Sequence, residues 1–307
     1  MDDLEALFGE LSRHGSAPLE AWPPDEELAR YGLAAAAGRV IPAGRYEPLV
    51  PEQIRRALSR RAGEWLRRLD VYPVIGSTNA ELMARAGRQA VDGSVCLAEL
   101  QRAGRGRRGR SWASPFGANL ALSIGMAVER PAPELGGVSL VVGLAVLDAL
   151  ERLDVTGLAL KWPNDVLLRD AKLGGILIEL ARQWGTELII GIGLNVALPQ
   201  PVRAALPPAV ADLSDVTPPL SRNELAGRIV SSVVEFVGEF ERLGFAPFKA
   251  AFDARHAYHG RACRVLQGEQ RIHGTVAGVS GDGELILETP DGTRSFNGGE
   301  VSLREGA

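Results

Sequence analysis

Leu4, Leu7, Phe8 and Leu11 recur at helical spacing and predict a short amphipathic helix at the start of the chain. The pattern breaks at Pro23-Pro24, and a run from Ala34 to Ala37 ends at Gly38 ahead of a small β-hairpin expected over Arg39 to Tyr46. From Pro51 to Asp70, Ile54, Leu58, Trp65 and Leu69 fall near one face, with Arg55, Arg56, Arg60, Arg61, Arg67 and Arg68 around the rest, as in a single solvated amphipathic helix. Strands are then expected at Val71 to Ile75, Val95 to Leu100, Ala118 to Val128, Leu158 to Trp162, Val166 to Leu168, Leu173 to Leu180 and Glu187 to Ile192. Helices are expected at Ala80 to Ala86, with Thr78 and Glu81 as a capping box, and at Ser139 to Leu150, which is apolar nearly all round.

Consecutive strands joined by tight turns predict an α+β fold, a mixed and largely antiparallel sheet with helices on one face. The proline-rich segment from Pro199 to Pro219 is long for a connection and is expected to be mobile. A second capping box, Ser221 with Glu224, opens a helix running to about Phe240 with Leu225, Ile229, Val233 and Val237 on one stripe. Beyond Gly260, short apolar strands with turns at Gly281-Asp282-Gly283 and Pro290-Asp291-Gly292 suggest a small β-barrel. The expected division is residues 1–50, 51–257 and 258–307. A helix-turn-helix that reads DNA would need a recognition helix of about three turns. Residues 25–40 offer Asp25 to Tyr31 and alanines, with Arg30 and Arg39 as bases, so the first unit reads as a reduced winged-helix-like module.

Charge changes this picture little. The balance is 34 basic against 38 acidic residues, net −4, which argues against a general nucleic-acid coat. Cys96 and Cys263 lie far apart in apolar surroundings and read as buried thiols rather than a disulfide or zinc framework. With no basic-plus-apolar leader and no run of about 18 apolar residues, a soluble, cytoplasmic protein is expected.

The candidate chemistry lies between the strands at 95–100 and 118–128. Arg102 to Arg110 packs five arginines and three glycines into nine residues. Glycines let the backbone approach a ligand, and arginines offer forks of donors to phosphate and carboxylate oxygens. Gly104-x-Gly106-x-x-Gly109 satisfies a dinucleotide fingerprint, but Arg110-Ser111-Trp112-Ala113-Ser114-Pro115 follows where an apolar helix is required. A Walker A loop fails for want of a G-K-S/T, and a disordered arginine-glycine RNA binder would be repeated rather than single and strand-flanked.

The run Gln101 to Trp112, with Ser114 to Leu120 behind it, resembles the signature loop of biotin protein ligases. Similar to that family, in the same order, are Ser77-Thr78-Asn79, Lys161-Trp162-Pro163-Asn164-Asp165, Lys172 to Leu177, Gly191 to Asn195 and Gly298 to Arg304. The resemblance implies a class II synthetase-like catalytic domain, a C-terminal Src-homology-3-like barrel, and a two-step ligation. Biotin's carboxylate would attack the α-phosphate of ATP to give biotinyl-5′-AMP. A lysine of a biotin carboxyl carrier protein domain would then take the biotin. Neither step needs a protein nucleophile; both need charge neutralisation, positioning and exclusion of water.

By the same resemblance Lys172, Arg105 and Arg107 are catalytic. Ser77, Thr78, Asn79, Gln101, Arg105, Gly106, Arg107, Trp112, Lys172 and Gly175 hold biotin. Lys161, Asn164, Asp165 and Asn195 lie on the nucleotide side, with Asp165 toward Mg²⁺, and Trp162 is core. A lipoate or octanoate ligase of the same fold is the alternative, against which the arginine loop and terminal barrel weigh. A biotin-dependent DNA-binding repressor is another, disfavoured by the missing recognition helix. Monomer and homodimer both stay open. Where repressor-type members carry a tryptophan that caps the adenine, this chain has Val210-Ala211-Asp212-Leu213 and no aromatic.

Overall fold

The fold is described from a computed structural model that covers residues 2–19, 22, 25–207, 209–215, 219–267, 269–297 and 301–305. Pro23-Pro24 and Gly298-Gly299-Glu300 lie outside the described residues.

The first unit runs α1 (Asp2–His14), β1 (Ala17–Pro18), α2 (Asp25–Arg30), β2 (Leu33–Ala36) and β3 (Arg39–Pro42), with the strands in order β1-β3-β2. Phe8 and Leu11 of α1 are fully buried and pack with Leu28, Leu33 and Val40. That cluster also takes in Leu100 and Phe116 from beyond the unit, with Phe8 stacked on Phe116 at 5.7 Å between ring centroids.

The single helix expected over Pro51 to Asp70 is instead two short ones, α3 (Pro51–Arg56) and α4 (Arg60–Trp65), followed by strand β4 (Arg68–Tyr72). Ser59 makes the break: its hydroxyl accepts the Ala62 N–H and so starts a new helix. The main unit then continues as α5 (Thr78–Ala86), β5 (Ser94–Ala98), β6 (Asn119–Val128), α6 (Val138–Glu151), β7 (Leu158–Lys161), β8 (Asp165–Leu168), β9 (Ala171–Ala181), β10 (Thr186–Asn195), α7 (Gln200–Ala204), α8 (Arg222–Leu243) and α9 (Lys249–Arg255). Its seven strands lie in the order β4-β5-β6-β10-β9-β8-β7, antiparallel except for the β4–β5 pair.

Side-chain alternation assigns the two faces. Leu188, Ile190, Ile192 and Leu194 of β10 join the large core under α6 and α8, whereas Ile189 packs with Leu82 and Ala86 of α5. The two long helices therefore share one face, as expected, and the short α5 lies on the other. The stretch Ala132–Glu151, which includes α6, is by length and composition apolar enough to cross a membrane, but Glu134, Ser139 and Asp148 interrupt it, so it is not an unbroken apolar run, and 67% of its apolar window is buried inside the protein.

The connection after β10 also departs from expectation. Rather than hanging free, its described part is tied down: Lys172 N donates to Ala209 O at 2.8 Å, Ala211 N donates to Lys172 O at 3.0 Å, and Asp212 is fully buried. Strands β11 (Ala262–Gln267), β12 (Gln270–Val279), β13 (Leu285–Thr289), β14 (Gly292–Phe296) and β15 (Val301–Glu305) form an antiparallel sheet in the order β14-β13-β12-β11-β15. This unit is keyed to the main one by Trp162, 2% exposed, whose indole N–H donates to Gly283 O at 3.1 Å.

Candidate active site

On the α5 face of the sheet a cavity of about 1000 Å³, open mouth included, is walled by the start of α5, the loop 101–112, the β7–β8 junction and the middles of β6, β9 and β10. It brings together Ser77, Thr78, Asn79, Gln101, Arg105, Gly106, Arg107, Trp112, Lys161, Asn164, Asp165, Lys172 and Gly175, residues spread over nearly one hundred positions of sequence.

The polar end begins at the N-terminus of α5. Ser77, not Thr78, is the cap, its hydroxyl accepting from Ala80 N. Thr78 is therefore the first helical residue, and its N–H donates to Gln101 Oε1 at 2.9 Å. Ser123, fully buried on β6, places its hydroxyl 2.7 Å from Thr78 Oγ1 and 2.6 Å from Asn79 Oδ1. No motif marks Ser123; a lone hydroxyl within the apolar strand 118–128 is the one available signal. Gly191 opposite is required by close approach, because a methyl group there would fall 2.3 Å from Asn79 Oδ1.

The arginine loop is a folded excursion. Trp112 N donates to Gly104 O at 2.8 Å, Gly106 N to Arg110 O at 2.7 Å, and the chain reverses through a short 3₁₀ turn, Arg107–Gly109, with Arg108 at φ +58°. No helix follows Gly109, in line with the rejected dinucleotide fingerprint. Arg105 Nη2 reaches Glu179 Oε2 at 2.9 Å, and Arg107 Nη1 donates to Asn164 Oδ1 at 3.1 Å. Burial first, and the neighbouring Arg108 second, push the Arg107 guanidinium below its usual pKa range. A cation held this way gains from an incoming anion. Trp112 packs against Gly193, where a methyl would come 2.7 Å from indole Cε2, and its Nε1 is buried without a hydrogen-bond partner among the described residues.

Lys172 owes its direction to a β-bulge. Asp165 pairs with Gly175 and Val166 with Gly174, but Leu167 pairs with Lys172, so β9 carries one extra residue, Leu173. Unbulged, Lys172 would oppose Leu168 and point away; the bulge turns it to the face of Asp165. Its Nζ then lies 2.7 Å from Asp165 Oδ1 and 5.8 Å from the Trp112 ring centroid. Asn164 is fixed through Nδ2 to Ile176 O at 3.0 Å. Lys161 Nζ lies 5.1 Å over the ring of Tyr258, beside the buried His256. Burial pushes the His256 imidazole down to about 4, so it is neutral under Lys161 at pH 7.

Asn195 does not join them. Its Oδ1 accepts from Asn119 Nδ2 and its Nδ2 donates to Ala211 O, both at 3.0 Å. Both ends of the amide are bonded within the fold, and Asn195 is not among the residues that line the cavity. Among the described residues no three His, Cys, Asp or Glu side chains cluster as a metal cage. The Asp165 carboxylate suits a magnesium ion that takes most of its ligands from phosphate oxygens and water, whereas the Asn164 amide is engaged at both ends, by Arg107 and by Ile176 O.

Residues 71–195 match the Biotin/lipoate A/B protein ligase family, and residues 258–304 match the Biotin protein ligase C terminal domain. A Bifunctional ligase/repressor BirA of Escherichia coli is 37% identical over 236 residues, 76% of this chain and 73% of that protein. A Biotin--[acetyl-CoA-carboxylase] ligase of Mycobacterium tuberculosis is 37% identical over 265 residues, covering 84% and 97% of the two chains. Among solved structures, a biotin protein ligase from Aquifex aeolicus in complex with biotin and ATP superposes with a TM-score of 0.65 at 30% identity, over 79% of this chain and 98% of that one. Fold and site thus define a ligase of the biotin and lipoate class. Within it, the chain belongs to the biotin protein ligase family.

Proposed function

We propose that this protein activates biotin with ATP as biotinyl-5′-AMP and transfers the biotinyl group to a lysine of a biotin carboxyl carrier protein domain. The observation that carries the reading is the opposition of two kinds of group across one cavity. A neutral polar clamp, Ser77, Thr78, Asn79 and Gln101, backed by the buried Ser123 behind Thr78 and Asn79, suits the ureido ring, and Arg105, Arg107 and Lys172 suit developing negative charge. In the first step the carboxylate oxygen bonds to the α-phosphorus and pyrophosphate leaves. Lys172, exchanging Asp165 for a substrate oxygen, would stabilise the charge spread over carboxylate and phosphate. In the second, the carrier amine attacks the acyl carbon and AMP departs with the bonding pair. Trp112 and the folded loop exclude water from the mixed anhydride.

Asp165 would hold Mg²⁺ arriving with the nucleotide, where it would neutralise phosphate charge; Asn164 and Lys161 face the same end. The described lid carries Val210 to Leu213 against β9 and supplies no aromatic cap for the adenine. Repression is left out of the proposal because α2 spans six residues, short of a reading helix. We assign residues 1–50, 51–257 and 258–307 as the three units, and a cytoplasmic location follows from the need for ATP. The test is ATP–pyrophosphate exchange with each acid in turn. Exchange with biotin is the expected result; exchange with lipoate or octanoate and none with biotin would overturn it.

A further inference from the structure

Glu179 lies two residues beyond the motif that ends at Leu177, yet it touches two walls of the site. Its Oε2 accepts from Asn79 Nδ2 and from Arg105 Nη2, each at 2.9 Å. Asn79 Nδ2 also donates to Leu177 O at 3.3 Å, which leaves Asn79 Oδ1 turned to Ser123 Oγ at 2.6 Å. A carboxylate accepts only, so it permits one orientation of the amide and forbids the flipped one.

We propose that Glu179 is a positioning residue for biotin. It holds the Asn79 carbonyl oxygen as the acceptor presented to a ureido N–H, and it parks Arg105 at the cavity rim until the substrate's anion replaces it. The proposal rests on the ligase reading above. The exchange is easy because the pair is partly open to water, with side chains 43% and 27% exposed, and such ion pairs are weak. The orientation is firm because Asn79 is 3% exposed and has a second β9 acceptor in Leu177 O. A flipped Asn79 would meet a ureido N–H with its own NH₂ group, donor against donor, and leave its oxygen facing Glu179.

Glu179→Gln tests this, since glutamine fits the space but offers either end of an amide. Steady-state pyrophosphate exchange should show the KM for biotin raised about tenfold, the scale of one lost charged hydrogen bond. The KM for ATP should stay within about twofold, and in an Asn79→Ala background the same substitution should lose most of its effect, as expected for groups acting through one another. A biotin KM unchanged by Glu179→Gln, or biotin and ATP KM values rising together, overturns the proposal. If Glu179→Gln does not fold, Glu179→Asp, which keeps the charge but not the reach, makes the same comparison. Absence of biotin-dependent exchange in the unaltered protein would instead refute the ligase reading before any variant is made.

Discussion

Lys172 and Asp165 meet because of one inserted residue in a hairpin, and the chemistry proposed for the site depends on that meeting. The ammonium is neutralised at 2.7 Å by the carboxylate, so substrate oxygens must compete for it. Lys172→Ala should lower the rate of biotin-dependent pyrophosphate exchange by two to three orders of magnitude, ~3–4 kcal/mol in the transition state, as for a lost oxyanion donor. A variant that exchanges at near the original rate would remove the lysine from the mechanism. Gly193 makes a second prediction. Its missing side chain leaves room for the Trp112 indole, so Gly193→Ala should force the ring off its wall at an overpacking cost of about 1–3 kcal/mol, read as a KM for biotin raised roughly tenfold or more.

Helix α8 shows how an element can be correctly expected and its support missed. Ser221 caps it, accepting from Glu224 N at 3.3 Å, as the box pattern indicates. The carboxylate most engaged at this terminus comes from far upstream: Glu47 accepts from Ser221 Oγ and Arg222 N at 2.7 Å and from Asn223 Nδ2 at 3.0 Å. Arg222 then runs inward to the fully buried Glu99 at 2.7 Å. Burial by itself would raise the Glu47 pKa, but the bonds from Ser221, Asn223 and Arg222 outweigh it and hold the value below the ordinary one. A carboxyl depressed in the fold adds stability above its unfolded pKa, about 4.3, and that stability is lost as pH falls through the lower folded value. Glu47→Ala should cost about 1–3 kcal/mol in urea unfolding at pH 7, and the gap between variant and parent should narrow in acid. A gap that is constant from pH 7 to pH 3 would show that the charge of Glu47 is irrelevant.

Across the whole molecule the three sheets are not independent. Phe116, four residues after Trp112, is the floor on which Phe8 and Tyr46 pack, and Phe116 N donates to Tyr31 O at 2.7 Å. The first unit thereby braces the exit of the arginine loop. Phe8→Ala should destabilise by about 3–5 kcal/mol, and because the cluster is shared the unfolding transition of the main unit should shift with it. Two resolved transitions, with only the first displaced, would show the N-terminal unit to be energetically separate. Much of this architecture was readable in the chain: strand and helix positions from period, the hairpins at Gly281 to Gly283 and Pro290 to Gly292 from turn chemistry. The 51–70 segment was misread because Ser59 interrupts a helical period without changing it, and the 199–219 segment because proline content says nothing about the docking of Ala209 and Ala211 on β9.

The sequence by itself determined the family, the α+β class and most of the residues that line the cavity, because those are consequences of local period and of short motifs whose members are neighbours. The tertiary structure alone decided which way they face. A bulge at Leu173 aims Lys172, an acid outside every motif accepts from Asn79 and Arg105, a buried serine on a core strand bonds Asn79, and Asn195 bonds Ala211 in the connection after β10. The physical reason is that direction in a sheet is set by register and by contacts between strands distant in sequence, neither of which is written in the residues on one strand. For the arginine loop, composition announced an anion site; the fold brings Arg105, Arg107, Arg108 and Arg110 to the cavity wall and ties Arg105 to Glu179 and Arg107 to Asn164.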